Sequence, residues 1–172
     1  MTLLLRVRQN SQKYTHIYMK RPFYTVLAAQ FFSSLADNAL ILASIALLRE
    51  ILNDPTPGDT EPLLKFFFTI AYVVLAPFVG AFADSRPKGT VMFITNLIKV
   101  VGCSIMLLGV SPLMAMVIVG LGAAAYSPAK YGIVTELVPA KDLVAANGWI
   151  ETLTVLSIIF GTVLGGFLSS PG

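Results

Sequence analysis

Apolar residues gather into five stretches of membrane-crossing length, approximately Pro22 to Leu48, Pro62 to Ala83, Thr90 to Val110, Leu113 to Leu137 and Ala145 to Ser169. A helix needs about 20 mostly apolar residues to cross a hydrocarbon core about 30 Å thick, so each stretch predicts a transmembrane helix and the fold class is an all-α membrane protein. Turn-rich segments separate them: "REILNDPTPGDTEP", "DSRPKG", "VSP" and a short link carrying Lys141. The first stretch is too long for a cleaved signal peptide, and no small-residue cleavage site follows it. Ahead of it, "MTLLLRVRQNSQKYTHIY" shows neither a membrane-length apolar run nor a sustained helical period. Residues 1–21 therefore read as a cytoplasmic tail, or as translation from an over-extended start with Met19 as the true one.

Polar residues interrupt the apolar pattern at few places. On the first span Gln30, Ser33, Ser34, Asp37 and Ser44 fall within roughly 100° of arc at 3.6 residues per turn, a face turned from lipid that suits a water-lined path. An ionisable group inside a bilayer costs at least about 2.5 kcal/mol, so each needs a partner, an aqueous cavity or a route to the interface. Asp37 lies about 22 Å in from Pro22, and Lys99 about 14 Å in from Thr90. Lys99 is too central to reach water easily, and Asp37 is within range of it if the two helices adjoin. Lys130 and Glu151 share a depth of about 10 Å above the cytoplasmic boundary, so these two can pair. Lys130 also follows Pro128, which removes a backbone donor and frees the carbonyl of Ala124. A bent helix carrying Tyr126, Lys130 and Tyr131 suits recognition of an anionic head group, whereas a lysine extended to the interface is the plainer alternative. Ahead of it, "GLGAAAYS" permits close approach of a neighbouring helix, and Gly161, Gly165 and Gly166 offer a similar face. Lys65 is read as extending outward, Glu136 as a surface residue, and Asn147 with Gly148 as the start of the fifth span.

Composition agrees with a membrane chain: 56% of residues are hydrophobic and 12% charged, against about half and a quarter in soluble domains. The net charge of +3 marks orientation rather than nucleic-acid binding. Arg6, Arg8, Lys13, Lys20 and Arg21 precede the first span, and Arg86, Lys88 and Lys141 lie in the second and fourth loops. Those segments are predicted to be cytoplasmic under the positive-inside rule. The first loop instead carries Glu50, Asp54, Asp59 and Glu61. Cys103 has no second cysteine to bond and His16 no second histidine for a metal site. No phosphate loop is present and Ser127 lacks a histidine base, so neither an enzyme, a metal nor a cofactor is implied.

The segment "GAFADSRPKG", from Gly80 to Gly89, resembles the loop signature of the major facilitator superfamily. Gly80 and Asp84 match its start, whereas Pro87 replaces a usual glycine, and Gly89 and Thr90 stand where further basic residues are common. Together with "FFSSLADNAL", "LAPFVGAFADS", "GAAAYSPAKYGI" and "LVAANGWIE", the chain is similar from Met19 to Gly166 to the lysophospholipid transporter family of bacterial inner membranes. That resemblance implies a twelve-helix fold of two six-helix halves, inward movement of lysophospholipid from the outer leaflet, and delivery to an acyltransferase. Asp84, with Gly80, Arg86 and Lys88, would belong to a cytoplasmic gate, and Asp37 with Asn38 would lie in the substrate cavity. Residues 22–172 would then be part of an N-terminal half, five helices of six, lacking the C-terminal half against which transporter repeats rock. Two other readings stand beside this one: a permease of the same fold for a small solute or drug, with Asp37 as a proton-coupling or cation site, and a small membrane assembly subunit.

Overall fold

The computed structural model describes residues 21–53 and 60–169. The tail residues Arg6, Arg8, Lys13, His16, Met19 and Lys20, and the loop acids Asp54 and Asp59, lie outside the described residues. The described part consists of helices α1 (Arg21–Leu52), α2 (Thr60–Asp84), α3 (Lys88–Leu107), α4 (Pro112–Leu137) and α5 (Leu143–Ser169), with a single 3-10 turn, Ala140–Asp142, ahead of α5. All five helices are long and apolar enough to cross a membrane.

Helix ends follow local chemistry. α3 stops at Leu107, short of the expected Val110, because Gly109 adopts φ +83°. That left-handed turn lets Val110 N donate to the carbonyl of Ile105 at 3.2 Å and Gly109 N to that of Met106 at 3.1 Å, as in a Schellman cap. α4 opens with Pro112 at its first position, where a missing N–H loses no intrahelical bond. It then runs unbroken through Pro128. α5 begins at Leu143, one turn ahead of Asn147 and Gly148, which therefore sit inside the helix rather than at its start.

Small residues decide which helices meet. α4 is the central element, packed along α2 on one flank and α3 on the other, while α1 packs along α5. A Cβ at Gly120 would stand 2.6 Å from the carbonyl oxygen of Phe68 on α2, and one at Gly122 would stand 2.8 Å from that of Thr95 on α3. On α5, a Cβ at Gly161 would stand 2.5 Å from the carbonyl of Leu35, and one at Gly165 2.9 Å from that of Ala39. These distances admit only glycine, so backbones touch where the sequence offers no side chain. Gly166 differs from its neighbours: nothing lies within 4 Å of its missing Cβ, and it borders a cleft with Arg49, Glu61 and Ser169.

Apolar clusters hold the bundle at both ends. Phe23, Leu27, Val134, Val138, Ala146 and Ile150 join α1, α4 and α5, and Ile45, Leu48, Leu64 and Met116 join α1, α2 and α4 at the opposite end. Val73, Phe78, Phe93 and Phe167 point outward and are exposed. Such a surface suits hydrocarbon rather than water. Arg21, Gly89 and Leu137 line one cleft, which brings the start of α1, the α2–α3 turn and the end of α4 to the same end of the bundle.

Candidate functional site

Two polar clusters stand out, one buried between α1 and α3 and one on a partly exposed face of α4 and α5. The first joins α1 to α3, whose backbones stand apart and are bridged mainly by side chains. Lys99 Nζ donates to Asp37 Oδ2 at 2.6 Å and to Ser33 Oγ at 3.0 Å, and Ser33 Oγ donates to Asn96 Oδ1 at 2.9 Å. The ammonium also lies 5.0 Å from the ring centroid of Tyr126. A cavity of about 350 Å³ between α1 and α3 is lined by Ser33, Asp37, Asn96, Lys99 and Cys103. A larger cleft of about 650 Å³ continues from Ala29 and Asn96 toward Arg21 and Gly89. Physically, the lysine must be paired here because a lone ammonium at this depth is too costly.

The polar stripe of α1 serves several partners. Gln30 Nε2 donates to Thr154 Oγ1 of α5 at 3.0 Å, while Ser44 Oγ contacts Met106 Sδ at 3.2 Å and Met116 Sδ at 3.5 Å. Asn38 parts from Asp37: its Nδ2 donates to the Ser34 carbonyl at 2.8 Å, and its Cβ faces Gly161 of α5. Among the described residues, the buried Gln30 Oε1 and Tyr126 Oη have no hydrogen-bond partner. Each therefore holds unused capacity for a hydrogen bond.

The second cluster spans α2, α4 and α5. Tyr72 Oη donates to Ser127 Oγ at 2.8 Å, and Tyr131 Oη donates to Glu151 Oε1 at 2.7 Å. Lys130, only 6% exposed, places its ammonium 4.4 Å from the centroid of the Tyr131 ring. The expected Lys130–Glu151 ion pair is absent among the described residues. Equal depth puts the two charges at one level, but the Tyr131 hydroxyl takes the carboxylate and its ring takes the ammonium. Lys65 is exposed and pairs with Glu61, one turn earlier toward the start of α2.

At the end of α2, Lys88 pairs with the exposed Asp84 and donates to the carbonyl of Ala83 at 3.0 Å. Its stem crosses the face of Gly132 on α4, so one lysine caps α2 and braces the turn against α4. Arg86 is exposed, and nothing lies within 4 Å of a Cβ at Gly80.

Sequence reasoning missed Asn96, Thr154 and Tyr72, and weighed Ser127 only as a nucleophile. Asn96 stands one turn before Lys99 and shares its face, a signal available from spacing alone. Tyr72 and Ser127 lie on different helices, and nothing in either segment announces the other.

Over 151 residues, 88% of its length, this chain is 46% identical to the lysophospholipid transporter LplT of Yersinia enterocolitica serotype O:8 / biotype 1B and covers 37% of that protein. It is 44% identical over the same length to LplT of Yersinia pestis (strain Pestoides F), of which it covers 36%. The chain thus spans little more than a third of the length of these relatives. No solved structure matches it. The Major Facilitator Superfamily model matches residues 26–172, and with five membrane-length helices arranged around α4 the chain belongs to that superfamily.

Proposed function

We propose that the chain is the N-terminal part of a transporter that moves lysophospholipids inward across the bacterial inner membrane and supplies them to an acyltransferase for re-acylation. The observation that carries this reading is the 46% identity to a lysophospholipid transporter across 88% of the chain. The second cluster supports it: an anionic phosphate is served by a buried lysine whose ammonium rests on the Tyr131 ring and, among the described residues, makes no ion pair. In this reading Lys130, Tyr131 and Glu151 meet the head group, while Gln30, Asp37, Lys99 and Tyr126 border the route it takes. Gly80, Asp84, Arg86 and Lys88 belong to a cytoplasmic gate completed by the C-terminal half. Residues 1–21 and the turns bearing Arg86, Lys88 and Lys141 face the cytoplasm, in keeping with the positive-inside rule.

The test is uptake of labelled lysophosphatidylethanolamine by cells lacking their own lysophospholipid uptake and expressing the protein completed to the length of its relatives. Label should enter and appear in diacyl lipid. Uptake equal to that of cells without the protein, at normal membrane abundance, refutes the reading. Orientation is checked in a Cys103→Ala background, where cysteines at Arg86 and Ser111 should react from opposite sides of the membrane.

A further inference from the structure

Lys130 and Glu151 carry opposite charges at one level of the membrane, yet they stay apart. Lys130 lies about 10 Å from the end of α4 at Leu137, and Glu151 about 12 Å from the start of α5 at Leu143. Two such charges in a low-dielectric region attract strongly and neutralise each other if nothing intervenes. Tyr131 intervenes on both sides. Its hydroxyl donates to Glu151 Oε1 at 2.7 Å, and its ring holds the Lys130 ammonium at 4.4 Å from the centroid. Among the described residues, Lys130 has no hydrogen-bond acceptor and Oε2 of Glu151 has no donor.

Exposure shows where this cluster faces. Tyr131 is 44% exposed and Glu151 is also exposed, although both lie within membrane-length helices. A carboxylate at that depth cannot face hydrocarbon, so this surface borders an aqueous cavity or another part of the protein. Tyr72 and Ser127 extend the same polar set onto α2. The cluster therefore offers an ammonium and a carboxylate separated by one tyrosine, each with unused hydrogen-bonding capacity.

That arrangement has a chemical complement. In phosphoethanolamine an ethylene bridge separates an anionic phosphate from a cationic primary ammonium. We infer that Lys130, Tyr131 and Glu151 form a dipolar cradle that reads a zwitterionic head group, Lys130 taking the phosphate and the free oxygen of Glu151 accepting from the ammonium, so that Glu151 sets head-group specificity. Tyr131 acts as the spacer that prevents the protein's two charges from satisfying each other. The inference rests on the lysophospholipid reading above and deepens it by assigning the amine to a named residue.

The experiment compares uptake of lysophosphatidylethanolamine with uptake of lysophosphatidylglycerol, which has no ammonium, in the completed protein. Glu151→Gln keeps the side-chain shape and removes the charge. It should lower the ethanolamine-to-glycerol uptake ratio by about tenfold, the effect of losing one charge-assisted hydrogen bond. Tyr131→Phe keeps the ring and deletes the hydroxyl, releasing Glu151 toward Lys130, and should lower the same ratio severalfold. Because the readout is a ratio, a general loss of folded protein does not imitate it. An unchanged ratio in Glu151→Gln, whether both rates fall together or neither falls, overturns the cradle. If the unmodified protein moves neither lipid, the lysophospholipid reading fails before any variant is compared, and the inference falls with it.

Discussion

The two buried lysines, Lys99 at 8% and Lys130 at 6% exposure, receive opposite treatment. Lys99 is satisfied from several directions, by Asp37, by Ser33 and by the face of Tyr126. Among the described residues, the ammonium of Lys130 has no hydrogen-bond or ion-pair partner and rests on the ring of Tyr131, and the nearby acid is engaged by the hydroxyl of that tyrosine. Desolvating an ion is costly in both places, so the difference indicates what each charge is for. A cation whose partners come from the fold itself joins α1 to α3. In the reading proposed above, Lys130, which makes no ion pair among the described residues, takes its anion from the head group.

Breaking the satisfied pair should have the largest effect on stability. Lys99→Met strands Asp37 in a half-buried cavity, and removing one partner of a buried pair costs about 3–5 kcal/mol. We expect a matching fall in thermal stability of the detergent-purified protein, with most of it recovered by Lys99→Met combined with Asp37→Asn. A single variant as stable as the parent would remove the structural half of the contrast. If uptake stays low in the recovered double variant, Asp37 and Lys99 also border the transport path.

Gly122→Ala should come next. Its methyl would press on the Thr95 carbonyl and the Lys99 stem, each at 2.8 Å, and overpacking costs about 1–3 kcal/mol. The effect should be partly relieved when Lys99 is also shortened, measured as a double-mutant cycle of unfolding temperatures. Full additivity would mean that the α3–α4 contact is independent of the ion pair.

Lys130→Gln should cost little stability, about 1 kcal/mol for a lost cation–π contact, while abolishing uptake by the completed protein. Lys130→Arg should restore uptake only in part, because a planar guanidinium replaces a compact ammonium. With no ion pair to relieve, adding Glu151→Gln to Lys130→Gln should not restore it. Recovery in that double variant would show that the two charges interact directly and would erase the distinction from Lys99. The smallest change is expected for Tyr72→Phe, which deletes one 2.8 Å hydrogen bond to Ser127. A loss of about 0.5–1.5 kcal/mol in thermal unfolding would identify it as a brace between α2 and α4.

The Asp37–Lys99 contact was legible from the chain because cost alone demanded it: a lysine at mid-membrane must find an acid, and Asp37 was within reach. The Lys130–Glu151 expectation rested on the same logic and failed. Counting residues along a helix gives depth but not azimuth, and Tyr131 turned out to stand between the charges. Asp37 and Asn38, adjacent in sequence, were assigned to one cavity, yet successive residues on a helix diverge by about 100°. One therefore lines the α1–α3 cavity and the other faces α5. Gly161 and Gly165 do form a packing face, whereas Gly166, one residue on, does not.

The sequence by itself determined five membrane-length helices, their approximate ends, and the few positions where a polar group inside the apolar spans requires an explanation. These follow from local quantities: hydropathy, the rise per residue, and the conformational preferences of glycine and proline. Only the tertiary structure decided which of those polar groups meet. That choice depends on how each helix is rotated and which backbones come close, and it is made at Gly120, Gly122, Gly161 and Gly165, where the absence of a side chain lets a particular neighbour in. A charge pair needs contact in three dimensions, and the order of residues along the chain supplies only one of them.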